Sequence, residues 1–187
     1  MRTKVLVAAL VVPTMLYGQV AEPGLKPGLW EVRVVKQVVD GRDLSGQLAQ
    51  ANTQMQQAMQ SMPPAQRAQM ESMLKQHGMR PGNGGYQICI TAEMARRDTP
   101  ILDKNGRCHT SKVDRNGNHT SFAFSCRSNG TTTTGTGVAQ LSSELVTTRT
   151  NTTTENAKGE RHTMQVESQM KYLQADCGDV KPLGPQK

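Results

Sequence analysis

Between Cys108 and Cys177 the chain is a run of short β-type segments broken by turn residues, and this pattern confines it to an antiparallel, mainly β fold. Thr120, Phe122, Phe124 and Cys126 alternate with Ser121, Ala123 and Ser125, the period of two that marks a half-buried strand. Asn116-Gly117 precedes it, and Asn-Gly favours a two-residue hairpin turn because both central positions need positive φ. A turn centred there pairs Arg115 with Asn118, Val113 with Thr120, His109 with Phe124 and Cys108 with Ser125. In that register Cys108 and Cys126 point to opposite faces and do not bond. A three-residue loop, the less favoured alternative, sets them opposite each other.

The final strand is equally legible. His162, Met164, Val166, Ser168, Met170 and Tyr172 alternate with Arg161, Thr163, Gln165, Glu167, Gln169 and Lys171, one face mostly apolar and the other polar. Thr131–Leu141 and Glu144–Thr153 lie between the hairpin and this strand. Both are rich in threonine, which suits a pleated strand but buries little apolar area. Ser128-Asn129-Gly130, Ser142-Ser143 and Asn156–Gly159 supply the turns.

Met1–Ala21 carries Arg2 and Lys4, an apolar core over Val5–Leu16 and then a polar shift, which reads as a secretory signal peptide. Residues 22–187 then form a single exported β-rich domain, periplasmic or secreted, with no membrane-spanning segment. Removing the signal lowers the formal net charge from +7 to +5. Much of the remaining positive charge falls in Arg96–Arg127, a surface suited to anionic or amphipathic envelope components. Nucleic acid is a poor fit, because aromatic residues make up only 3% of the chain and provide no stacking platform.

Four cysteines in an exported chain read as two disulfides. The hairpin register leaves Cys108 to pair with Cys89 or Cys177. The expected set is Cys89–Cys108 and Cys126–Cys177, which keeps the first loop short and ties the hairpin to the end of the last strand. Each is worth roughly 3–4 kcal/mol on a chain-entropy model. No two cysteines have the close spacing of a structural zinc site.

Trp30, Val32 and Val34 alternate with Glu31 and Arg33, and Val35 breaks the pattern, predicting a first mature strand with a bulge near Val34. The single tryptophan, Trp30, reads as a core plug. Residues 44–78 differ in kind: Gln47–Ser61 is rich in Gln, Ala and Met, Pro63-Pro64 stops it, and Ala65–His77 makes a second helix capped by Gly78. Six methionines fall between Met55 and Met79. Methionine at helical spacing is usually an adaptable core filler. Two lesser readings are a flexible contact face for a lipid, peptide or partner, and Cu(I) binding by soft thioethers.

Gly28-Leu29-Trp30-Glu31, Met62-Pro63-Pro64-Ala65-Gln66, Cys89-Ile90-Thr91-Ala92-Glu93, the central cysteine pair and Asp176-Cys177-Gly178 together resemble the bacterial envelope family called domain of unknown function 3617. The likeness runs over Gly28–Gly178. It implies an exported, β-rich bacterial protein and carries over no activity, cofactor or catalytic residue. Ile90 stands where the family often has leucine, and the segment before Met62 is unusually rich in glutamine.

Nothing in the chain points to catalysis. The four histidines, His77, His109, His119 and His162, belong to none of the hydrolase, metalloprotease or phosphate-binding motifs. The expected fold is a curved antiparallel sheet of six to eight strands, or a half-open lipocalin-like barrel, with the helical insert over it. The expected function is a non-enzymatic envelope module without cofactor or metal. It would bind an apolar or amphipathic ligand, or a partner, on a concave face. Trp30, Phe122, Phe124, Met164 and Met170 are its candidate lining, covered by Met55, Met59, Met70 and Met73. The alternative is a structural envelope protein without a pocket, and an enzyme of unrecognised type is a lesser one.

Overall fold

A computed structural model describes residues 24–96 and 107–182; Met1–Ala21, expected to be a signal peptide, and the basic residues Arg97 and Lys104 lie outside them. One nine-stranded antiparallel sheet carries the chain, and it does not close into a barrel. In chain order the elements are β1 (Gly28–Val39), β2 (Arg42–Asp43), α1 (Ser45–Ser61), α2 (Pro64–Gln76), β3 (Met79–Pro81), β4 (Tyr86–Ile90), α3 (Ala92–Ala95), β5 (Cys108–Asn116), β6 (His119–Ser128), β7 (Thr131–Leu141), β8 (Leu145–Glu155) and β9 (Arg161–Gln174). The spatial order is β3-β4-β1-β9-β8-β7-β6-β5, with the two-residue β2 paired to β1. The run from β5 to β9 is the expected meander. β1 closes onto β9, with the bulge where Val34 gives way to Lys36.

The apolar core is small and sits at one end of one face. Trp30 is fully buried there, packed with Ile90, Met94 and Val146. Its indole Nε1 donates to the Lys26 carbonyl at 2.9 Å, and Tyr172 meets its ring edge-on at 5.6 Å. Both sequence motifs at this end serve the plug. Gly28 runs against β9, where an added Cβ would stand 2.3 Å from the Gln174 carbonyl oxygen. After Ile90 the chain turns into α3, whose N-cap Thr91 accepts from the Met94 amide at 3.1 Å and swings Met94 onto the tryptophan. On the other face Leu29, Cys89 and Val180 form a second cluster, closed by the C-terminal segment.

Away from this end the apolar face is kept thin. Gly135 and Gly137 of β7 stand opposite Phe124 and Phe122 of β6. A Cβ at Gly137 would fall 2.3 Å from the Phe122 ring, and one at Gly135 2.5 Å from that of Phe124. The phenyl rings therefore lie over the glycines and cover backbone that has no side chain of its own.

The disulfides correct the expected pairing: Cys108 bonds Cys126, and Cys89 bonds Cys177. Two departures bring Cys108 opposite Cys126. The hairpin loop is Gly117-Asn118, with Asn116 paired to His119, and Gly117 takes the positive φ of 59°. A bulge between Thr110 and Lys112 then shifts the register by one, so His109 faces Ser125 rather than Phe124. The outer bridge ties the tail to β4, and Asp179 reinforces it through Arg80 at 3.1 Å and through Lys75.

The helical insert forms as expected, and Gly78 ends it at φ 71°. Arg67 fixes the hairpin by donating to the carbonyls of Met59, Gln60 and Met62, which α1 leaves unsatisfied at its end. Neither α1 nor α2 buries a residue, so the methionines fill no core.

Gly137→Ala is expected to lower stability by about 1–3 kcal/mol, because the buried Phe122 ring has to shift. Combined with Phe122→Ala it costs less than the two added separately, as read from urea midpoints. Peptide mapping without reductant recovers Cys89–Cys177 and Cys108–Cys126 linkages. Closing the loops of 88 and 18 residues makes Cys177→Ser the costlier loss, about 4.5 against about 3 kcal/mol for Cys126→Ser.

Candidate functional site

Strand alternation divides the sheet into two faces with different chemistry. Trp30, Phe122, Phe124, Met164 and Met170 share the first, as their pairings require. They do not form one cavity. Trp30 and Met170 belong to the filled core, whereas Phe122 lines one surface hollow and Phe124 and Met164 line a second. Most of the lining of these two hollows comes from the second face.

There a trough of about 530 Å³ spans four consecutive strands, β5 to β8. Register explains its composition. Lys112 pairs with Ala123, Ala123 with Thr136 and Thr136 with Asn151, forming one row across the sheet. Ser121, Val138 and Arg149 form the next row, and His119, Gln140 and Thr147 a third. Val138 is 49% exposed although it lies in mid-strand. A second hollow of about 560 Å³ shares Ala123, Thr136 and Asn151 with the first and continues along Ser125, Thr134, Thr153 and Gln165. The floor is built of methyl groups and short hydroxyl side chains. The charges stand at its sides: Lys112 on β5, and Arg149 on β8 held at 2.8 Å by Glu167. That pairing raises the already high pKa of Arg149, so its charge is permanent.

The helical insert does not cover this trough. Met55, Met59 and Met70 line a separate cavity beside the β3–β4 turn, together with Leu74 and Tyr86. Met73 is outside that lining and 55% exposed.

One charged pair escaped the sequence reading. Asp40-Gly41 forms a tight turn with φ of 48° and 80°, and β2 follows directly. The signal was present, since Asp-Gly after a valine run is a hairpin dipeptide. The Asp40 carboxylate accepts from the Thr163 amide at 2.7 Å and lies 2.8 Å from His162 Nδ1. Bonding to His162, then to the Thr163 amide, holds the Asp40 pKa below 3.8, and Asp40 in turn raises that of His162 above 6.5. The pair joins the β1–β2 turn to β9 and stands outside the lining of the trough. Among the described residues no three His, Cys, Asp or Glu side chains group to hold a metal ion, and no helix is long and apolar enough to cross a membrane.

The family model described as "Protein of unknown function (DUF3617)" matches residues 25–177. The chain belongs to this family. A protein of Pseudomonas putida named "Uncharacterized protein in lpd-3 5'region" is 37% identical over 106 residues that cover 54% of this chain and 69% of the relative. No solved structure matches the chain. The stretches that carry the DUF3617 resemblance turn out to hold the fold: Gly28 to Glu31 and Cys89 to Glu93 frame the Trp30 plug, and Cys177 anchors the tail.

In a proton NMR titration His162 is expected to show a pKa above the ordinary 6.5, and Asp40→Asn returns it toward that value. The sign for stability follows from both shifts. The histidine's contribution is complete below 6.5 and is lost as pH rises through the raised value. The aspartate's is present above 3.8 and is lost as pH falls through the lowered one. Asp40→Asn therefore narrows the stability difference between the mid-acid range and alkaline pH.

Proposed function

We propose that this chain is a non-enzymatic module of the bacterial envelope that binds an anionic, amphipathic molecule in the trough across β5 to β8. The observation that carries the reading is the lining of that trough. Val138 and Ala123 offer apolar contact to a chain, the threonine methyl groups extend it, and Lys112 and Arg149 stand where a charged head would rest. A volume of about 530 Å³ lies inside the range of small-ligand sites, roughly 300–1,000 Å³. Export is supported by the charged and apolar pattern of Met1–Ala21 and by two disulfides, which persist outside the reducing cytosol. A binding role rather than a catalytic one is supported by the position of the His162–Asp40 pair. It serves a turn and not the trough.

Isothermal titration of the oxidised mature chain with dodecanoate tests the reading. One molecule is expected to bind per chain, with dodecyltrimethylammonium bound far more weakly. Val138→Glu should abolish binding and Lys112→Glu should weaken it. Both positions are exposed, so stability should change by no more than about 0.5 kcal/mol. Silence with dodecanoate, or variants that bind like the parent, would leave the structural envelope role instead.

A further inference from the structure

The helical insert poses a separate question. α1 and α2 hold 17 and 13 residues, yet neither has a buried side chain. Helices of this length are marginal in water unless they pack against something. Three of their four methionines gather at one place instead of spreading over a core. Met55 and Met59, four apart on α1, and Met70 on α2 line one cavity of about 200 Å³, closed on the sheet side by Pro81 and Tyr86. Its size decides between the two sharper readings of a methionine-rich face. It falls below the roughly 300 Å³ at which pockets for organic ligands begin, whereas a single ion needs far less. Its donors then decide which ion. No histidine, carboxylate or free thiol lines it, so zinc and hard divalent cations find neither charge nor imidazole. Thioethers are soft, uncharged donors that select Cu(I).

We propose that Met55, Met59 and Met70 form a site for a soft monovalent metal ion, Cu(I). Binding links α1 to α2 side chain to side chain, beside the Arg67 bonds that already join their ends. The site is independent of the trough across β5 to β8 and uses different residues.

The test is anaerobic titration of the oxidised full chain with Cu(I) in competition with bicinchoninate, alongside Ag(I) as a redox-inert substitute. One ion per chain is expected. In methyl NMR spectra Ag(I) should move the signals of Met55, Met59 and Met70 and leave Met73 in place. Met55→Leu, Met59→Leu and Met70→Leu keep the side-chain volume; each should weaken binding, and the triple variant should lose the complex. Met73→Leu should bind like the parent, and dodecanoate titration of the triple variant should be unchanged. No competition for Cu(I), a triple variant that binds normally, or Ag(I) shifts centred on other residues would overturn the assignment. If the triple variant does not fold, the methyl shifts of the parent chain decide.

Discussion

Burial of Trp30 is the constraint on which the rest of this molecule depends. A chain with one tryptophan, two phenylalanines and three tyrosines has few large groups with which to remove surface from water. The fold spends its tryptophan at the crossing of β4, β1, β9 and β8, then adds Ile90, Met94 and Val146 around it. Several backbone features exist to let this happen. Gly28 permits close approach to β9, Thr91 starts the short helix that delivers Met94, and the Lys26 carbonyl satisfies the indole N–H. Replacing such a plug by alanine typically costs about 3–5 kcal/mol, a large share of the stability of a domain this size.

Much of the architecture was legible because period-two alternation and turn residues are local signals. Thr131–Leu141 is a strand residue for residue, the double proline splits the helices, and the bulge follows Val34. The failures share one cause. Alternation says which side chains lie on the same face but not which of them share a hollow, so Phe122 was grouped with Trp30 although Phe122 lines the trough and Trp30 lies in the core. Likewise Asn116-Gly117 marks a turn without fixing where it is centred. A bulge at Ser111, which no residue type announces, then changed the partner of Cys108 and with it both disulfides. The trough was not legible at all, since Lys112, Ala123, Val138 and Arg149 become neighbours only through pairing across four strands.

The two faces divide the work. One uses glycine beneath phenylalanine to cover backbone with a minimum of bulk, so the sheet holds together with little packed against its middle. The other is lined along its middle by threonine, serine and amides, with Lys112, His119 and Arg149 among them. A nine-stranded sheet that remains open in this way is held less by a thick core than by its hydrogen-bonded ladders and its covalent ties.

Those ties are nested: the Cys108–Cys126 bridge lies wholly inside the loop closed by Cys89 and Cys177. A polypeptide that emerges amino end first displays Cys89 and Cys108 together while the third and fourth thiols are still hidden. An oxidant that joins whichever sulfurs appear first would lock in the wrong couple. Correct maturation thus demands either that the inner hairpin zip up before oxidation, or that a shuffling catalyst undo the early mistake.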